Sequence, residues 1–398
     1  MTRSVPSPAA QPWRAFLVAC VLCASVLAIC CAEPLAPGPD ANDAIDASRD
    51  AGLDASRDDA DATTRSTRLY VAQDDDVIVS HALDVRDGTL VELGRTPIAG
   101  GASFLAVDAR GVLGALVLED GHEVVAFGVD VGGVVHERGP RRNARGLGPT
   151  HVSIDPSGRH ALVADYGSGD VASFAFSSDG TLEEATTALR AGDNAHQVVV
   201  SPSGSLALVP CKGADHVAVL GFDAATGLLA PRSLYATEPG QGPRHLVLGA
   251  DGRYAYLANE LGSRLEVLAL DEAHATLTHR QSISTLPAGD ATPNTAAEIA
   301  LGVGERFVYV SNRGHDSIAI FEIGADHLVT PRGHVLLEAR RPRSFAIDPS
   351  GRWLFAGAQD DDVIVRFRIE DDGALTRIGT TPTSGSPTFV GIFSIASP

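Results

Sequence analysis

The sequence predicts an all-β fold: a seven-bladed β-propeller with four-stranded blades, the first blade closed by both chain ends. Three observations carry this. A phrase of apolar strand, Gly-bearing turn, second strand, polar turn and third strand recurs along the chain, most clearly in "GPTHVSIDPSGRHALVADYGSGDVASFAF" and "GPRHLVLGADGRYAYLANELGSRLEVLAL". The residue just before each first strand falls at Ser103, Thr150, His196, Arg244, Ala297 and Arg343, giving spacings of 47, 46, 48, 53 and 46. A period in the forties with several strands per unit is the mark of a propeller. Finally, the repeating body opens at Thr67 on what reads as a second strand, "TRLYVA", and ends on a lone first strand, "GSPTFVGIF", whose marker Thr388 lies another 45 residues on.

The units follow in order. The second is the weaker "GASFLAVDARGVLGALVLEDGHEVVAFGV", the third and fifth are quoted above, and the fourth is "NAHQVVVSPSGSLALVPCKGADHVAVLGF". The sixth is "AAEIALGVGERFVYVSNRGHDSIAIFEI" and the seventh "RPRSFAIDPSGRWLFAGAQDDDVIVRFRI". A fourth strand follows the next turn, as in "DGTLEEA", "TGLLAPRS" and "DGALTRI". Radial closure disposes of open sheet edges without helices, and the body has almost no helical periodicity. An open β-sandwich, or two, is the competing architecture, but it gives no reason for a unit split between the chain ends. A closed ring needs no second chain to bury its edges, so a monomer is expected.

The front of the chain is different. Arg3 and Arg14 precede the apolar "AFLVACVLCASVLAIC", about sixteen residues long, which reads as a signal sequence over residues 1–31 and is short for a retained membrane span. Cys30 or Cys31 is a candidate lipidated residue, giving a lipid anchor to a membrane; simple secretion stands beside it. Either way the protein is expected to be exported, periplasmic or tethered to the envelope. Residues 32–66 are rich in Ala and Asp, repeat "DASRD" and lack aromatics, which predicts a disordered tether. The propeller then spans residues 67–398.

The formal net charge of −19 argues against nucleic-acid binding, which needs a basic surface. Of five cysteines only Cys211 lies in the repeating body, with no disulfide partner or metal cluster around it. No metal site is expected, since the histidines have no HxH or HExxH spacing and nearby arginines oppose a cation. No cofactor is expected either: there is no dinucleotide fingerprint or Walker loop, and no GxSxG nucleophile motif.

In a propeller the innermost strand of each blade runs along the central channel. Its start and the end of the antiparallel second strand lie on one face, so the marker residues should ring one mouth. Asp165, Lys212, Glu260, Arg313 and Gln359, at or just after the second strands, should join them, with His245, Asn259, Glu298, Asn312 and His315. Arg244, Arg313 and Arg343 gather positive charge there, which suits a small anionic substrate because guanidinium pairs bidentately with carboxylate or phosphate. His196 and Glu260 are candidate proton-transfer groups. Asp316 and Asp360 read as turn formers, the Asp-Pro-Ser-Gly turns as structural, and Tyr256, Phe307 and Trp353 as blade packing.

Residues 67 to 398 resemble the seven-bladed propeller lactonases, which contain the propeller-type 6-phosphogluconolactonases and are similar to the fungal carboxymuconate cycloisomerases. The resemblance rests on "GPRH…GRYAYLANEL", "STLP", "AAEIA…FVYVSNRGHDSIAIF" and "PRSFAIDPSGRWLFAGAQDDDVIVRF", of which "SNRGHDSIAIF" is the most specific. It implies a lactonase-like hydrolase acting on a small anionic sugar lactone, or cycloisomerisation between a lactone and a muconate. It also implies a catalytic set of His196, Arg244, Glu260 and Arg313. The arginines would hold the anion and the developing oxyanion, with His196 and Glu260 as acid and base. Two places depart from the family pattern. Asn194 stands where a first His is usual, and "CKG" at Cys211, Lys212 and Gly213 stands for "DLG", exchanging an acidic group for a basic one. The alternative reading is an exported propeller that binds a small anion or an envelope protein without catalysis; a structural propeller with decayed chemistry is the third.

Overall fold

The structure, a computed structural model, describes residues 65–396. The segments expected to be a signal sequence and, as far as Thr64, a tether lie outside the described residues.

Seven four-stranded antiparallel sheets form the described part. Blade 1 takes its innermost strand from the C-terminus (Pro387–Ala396) and its second from the N-terminus (Arg65–Gln73), paired from Arg65 opposite Ala396 to Ala72 opposite Phe389. The other six blades are continuous in sequence. Their innermost strands begin at Ala102, Pro149, Val199, Pro243, Thr295 and Pro342. Each blade's inner region packs against the next, and that of blade 7 packs against blade 1, so the ring is closed. Two packed sandwiches are thereby excluded.

Local sequence explains the blades. Second strands such as "GALVL" and "LALVPC" are buried along their whole length because another blade covers each face, so they read as unbroken apolar runs. Outermost strands, such as Leu182–Arg190, alternate exposed and half-buried residues because one face meets solvent. The Asp-Pro-Ser-Gly turns are held by their aspartates. Asp155 Oδ1 accepts the N–H groups of Arg159 and His160 at 2.9 and 2.7 Å, and Asp348 repeats this with Arg352 and Trp353. Tyr256, Phe307 and Trp353 are buried as expected. Trp353 Nε1 donates to Val85 O in blade 1 at 3.0 Å and Tyr256 Oη to His327 O in blade 6 at 3.2 Å, so they tie neighbouring blades together.

One irregularity positions the site. At the start of the innermost strands the register slips by one residue: between Ala102 and Phe104, Pro149 and His151, Pro243 and His245, Ala296 and Ile299, and Pro342 and Ser344. Blade 1 slips where Ala72 and Gln73 face Phe389 and Pro387. These are β-bulges, and the extra residue in each is the marker residue. A bulge sets two residues against one and re-aims side chains that a regular strand would send to opposite faces. Blade 4 reaches the same end by shortening its strand to Val199–Val200, with an isolated bridge from Ala195 to Cys211.

Candidate active site

The bulges gather one layer of the site. Ser103, Thr150, His196, Arg244, Arg343 and Thr388, six of the seven markers, line a single cavity, together with Phe104, His245, Glu298, Ser344 and Phe389 from the positions that follow them. The space among them is ≈ 10 Å³, about the room one water needs. In blade 6 the marker is Ala297, whose carbonyl accepts from Arg244 Nη1 at 2.7 Å.

A second layer stands just beyond the second strands. The N–H groups of Asp74, Glu119, Tyr166, Lys212, Glu260 and Gln359 each donate to a carbonyl two residues before the marker: Ser386, Gly101, Gly148, Asn194, Gly242 and Arg341. These bonds define equivalent positions, with Arg313 the seventh, opposite Thr295. Asp165, expected at the mouth, does not belong here. It ends its strand one residue early, is fully buried, and leaves the ring position to Tyr166. A one-residue step reverses the face of a strand residue. Asn259 and Asn312 occupy the same buried position as Asp165, and Asn312 is bonded to Thr285 and Asn294 rather than turned to the mouth. His315 pairs with Ser317 and Asp290 in the blade 6 loops, while Asp316 caps Gly314 and Arg341 as a turn former should.

Arg244, Glu260 and Arg313 do come together. Glu260 Oε2 lies 3.2 Å from both Arg244 Nε and Arg313 Nη2, and its Oε1 accepts from Lys212 Nζ at 3.0 Å. The Arg244 contact is an ion pair without a directed hydrogen bond. Burial alone would raise the Glu260 carboxyl, but Arg244, Arg313 and Lys212 together hold it below the ordinary carboxylate range. Burial, with Arg313 and Arg343 close by, pulls Arg244 down to about 9, still a cation at neutral pH. Lys212 also lies over the Tyr166 ring, 5.2 Å from its centre. Arg343 faces the cavity with no ion pair among the described residues. Positive charge is therefore concentrated at one mouth of an acidic chain.

His196 shares the cavity and sits 5.0 Å from His245 between ring centres. Burial, Arg244 and His245 push its pKa well below the imidazole range, so it is neutral, and its Nδ1 has no hydrogen-bond partner. Asn194, the departure beside it, has φ +54, in the left-handed region. Gly101, Gly148, Gly242 and Arg341 have positive φ at the equivalent position, so a residue tolerant of that conformation is what the backbone requires there. Its Nδ2 donates to Tyr166 O at 3.2 Å. Cys211 is buried, its thiol pushed up to about 12 by burial, and takes no part in the mouth.

Sequence reasoning passed over one pair as chemistry. His245 Nδ1 lies 2.8 Å from Glu298 Oε1, both buried, on the floor of the cavity. Burial and Arg244 lower the His245 pKa despite Glu298; Glu298 stays ionised because His245 and Arg244 offset its burial. Its signal was available in "GPRH" and "AAEIA", since each residue follows a marker and so shares its bulge.

Seven blades thus close a ring whose mouth gathers three cations around one carboxylate. Residues 63–392 match the family described as lactonase, 7-bladed beta-propeller, and the chain belongs to that family. It is 31% identical over 251 residues to a 6-phosphogluconolactonase of Serratia proteamaculans, covering 62% of this chain and 75% of that protein. It is 29% identical over 250 residues to one from Pectobacterium carotovorum, with the same coverage. Among solved structures, the periplasmic gluconolactonase of Pseudomonas aeruginosa superposes with a TM-score of 0.76 at 26% identity, over 83% of this chain and 99% of that one.

Proposed function

We propose that this protein hydrolyses a small anionic sugar lactone of the 6-phosphogluconolactone type, outside the cytoplasm. The observation that carries the reading is the convergence of Arg244, Arg313 and Lys212 on Glu260, with Arg343 beside them in no ion pair among the described residues, in a member of the lactonase family. A carboxylate held by three cations marks where a substrate anion binds, and the anion competes with Glu260 for them. Arg244, buried and anchored on Ala297 O, is fixed in advance to receive charge that develops on the carbonyl oxygen. As the anion draws off Lys212 and Arg313, Glu260 becomes more basic and handles the proton at the ring oxygen together with neutral His196. The leader in the sequence and the periplasmic relative support export.

The test is hydrolysis of a panel of lactones, phosphorylated and not, by the protein from residue 65 onward, with Glu260→Gln and Arg244→Ala as controls. The expected result is turnover of a phosphorylated or carboxylated lactone, with kcat lowered about 10²-fold or more in E260Q while its melting profile is kept. If no lactone is cleaved above background and a sugar acid still binds, the binding propeller replaces the enzyme.

A further inference from the structure

At three of the seven blade junctions the residue after the marker accepts the N–H of the second residue past the marker in the next blade. His151 Nδ1 takes the N–H of Val198 at 3.5 Å, Gln197 Oε1 takes that of Leu246 at 2.7 Å, and Ser344 Oγ takes that of Val390 at 3.2 Å. Between blades 5 and 6 the pattern changes. The N–H of Ile299 goes to Glu298 Oε1 of its own blade at 3.1 Å, so His245 is released from that duty. Its Nδ1 instead faces the same carboxylate oxygen at 2.8 Å. A carboxylate only accepts, so the proton resides on His245 Nδ1 and the Nε2 lone pair is free. His151, at the equivalent position, accepts at Nδ1 and must carry its proton on Nε2. Two histidines in one structural position are thus held in opposite tautomers.

No described residue hydrogen-bonds His245 Nε2, and that atom is not among the sealed polar atoms. The ring lines the one-water cavity with Arg244, Arg343 and His196, while Phe104 and Phe389 make the wall between them apolar.

We propose that His245 is the catalytic base that takes the proton of the attacking water at Nε2, and that Glu298 is its positioning residue. This rests on the lactone reading above. The water oxygen bonds to the lactone carbonyl carbon as its proton passes to Nε2, and the oxyanion forms against Arg244 and Arg343. Collapse breaks the bond from that carbon to the ring oxygen. The His245 imidazolium gives up that proton, which Glu260 relays to the ring alkoxide, leaving a hydroxy acid and neutral His245. The groups facing His245 are Glu298 from blade 6, Arg244 from its own strand, Arg343 from blade 7, His196 from blade 4 and His151 from blade 3. The cations oppose imidazolium, so the base stays neutral at neutral pH.

The experiment is the pH profile of kcat and KM for the best lactone of the panel, in the wild type, His245→Gln and Glu298→Gln. H245Q should lower kcat about 10²-fold or more with KM nearly unchanged. E298Q should lower kcat about 10-fold and move the acid limb to lower pH, because removing the carboxylate makes imidazolium harder to form. A merely structural Glu298 would lower activity without moving the limb, and that result overturns the proposal, as does an H245Q enzyme within about threefold of wild type. Should H245Q fail to fold, the limb in E298Q decides. A wild type that cleaves no lactone sinks the parent reading itself, whereas an active wild type with active variants sinks only this one.

Discussion

Blades 3 and 5 open on nearly the same words, "GPTH" and "GPRH", and fold onto nearly the same backbone. Pro149 faces Asp165 and His151 faces Ala164; Pro243 faces Asn259 and His245 faces Ala258, with the bulge in the same place. Their chemistry differs at every polar position. Thr150 bonds back to Gly148 O, whereas Arg244 crosses to Ala297 O and Glu260. Tyr166 stands where Glu260 stands, and His151 serves a backbone N–H where His245 faces a carboxylate. The repeat supplies a scaffold that points side chains at the mouth, and the identity of each side chain, with its neighbour in the next blade, decides whether it caps backbone or forms a site.

Exchanging residues between the two blades tests this. The largest effect is expected from Arg244→Thr, which gives blade 5 the marker of blade 3. Steady-state kinetics should show kcat/KM reduced about 10³-fold, the cost of losing a preorganised cation at the developing oxyanion. Lys212→Met should come next, with KM for a phosphorylated lactone raised about 10-fold and kcat changed far less, because one of the cations awaiting the anion is gone. Asp165→Asn places the blade 5 residue in blade 3. Burial and Asp170 push the Asp165 carboxyl up to about 8, and neither oxygen has a hydrogen-bond partner. A raised acid is stable folded while protonated, so native stability should fall as pH rises from about 4 to 8. D165N should abolish that fall and melt roughly 2–4 °C higher than wild type above pH 8. The smallest effect is expected from His151→Gln, whose amide oxygen can still accept the Val198 N–H. Its kcat should stay within about threefold of wild type with the acid limb unmoved. A limb that moved as far as in E298Q would erase the distinction between the two histidines.

The ring of seven was legible because each unit repeats its apolar strands and turns at nearly constant spacing. The split first blade was legible because the body begins on a second strand and ends on a first. Arg244 and Glu260 were legible as neighbours once that register was known, and Arg313 as a member of the same ring. Asp165, Asn259 and Asn312 were misplaced because the end of a second strand was read to within one residue, and one residue is the whole difference between buried and facing the mouth. Lys212 was seen as a lost acid and a gained base. Its bond to Glu260, made from the adjacent blade across 48 positions of sequence, was not visible.

By itself the sequence determined the propeller, its closure and the concentration of cations at one mouth, since period, polarity and turn chemistry are local properties that add along a chain. Only the tertiary structure decided what those residues do to one another. The bulges turn two successive side chains to one cavity, three cations from three blades settle on one carboxylate, and Glu298 takes the N–H of Ile299, which sets the tautomer of His245. These outcomes depend on distances between separate blades, and the interaction of charges and hydrogen bonds falls off too steeply with distance for sequence spacing to stand in for it.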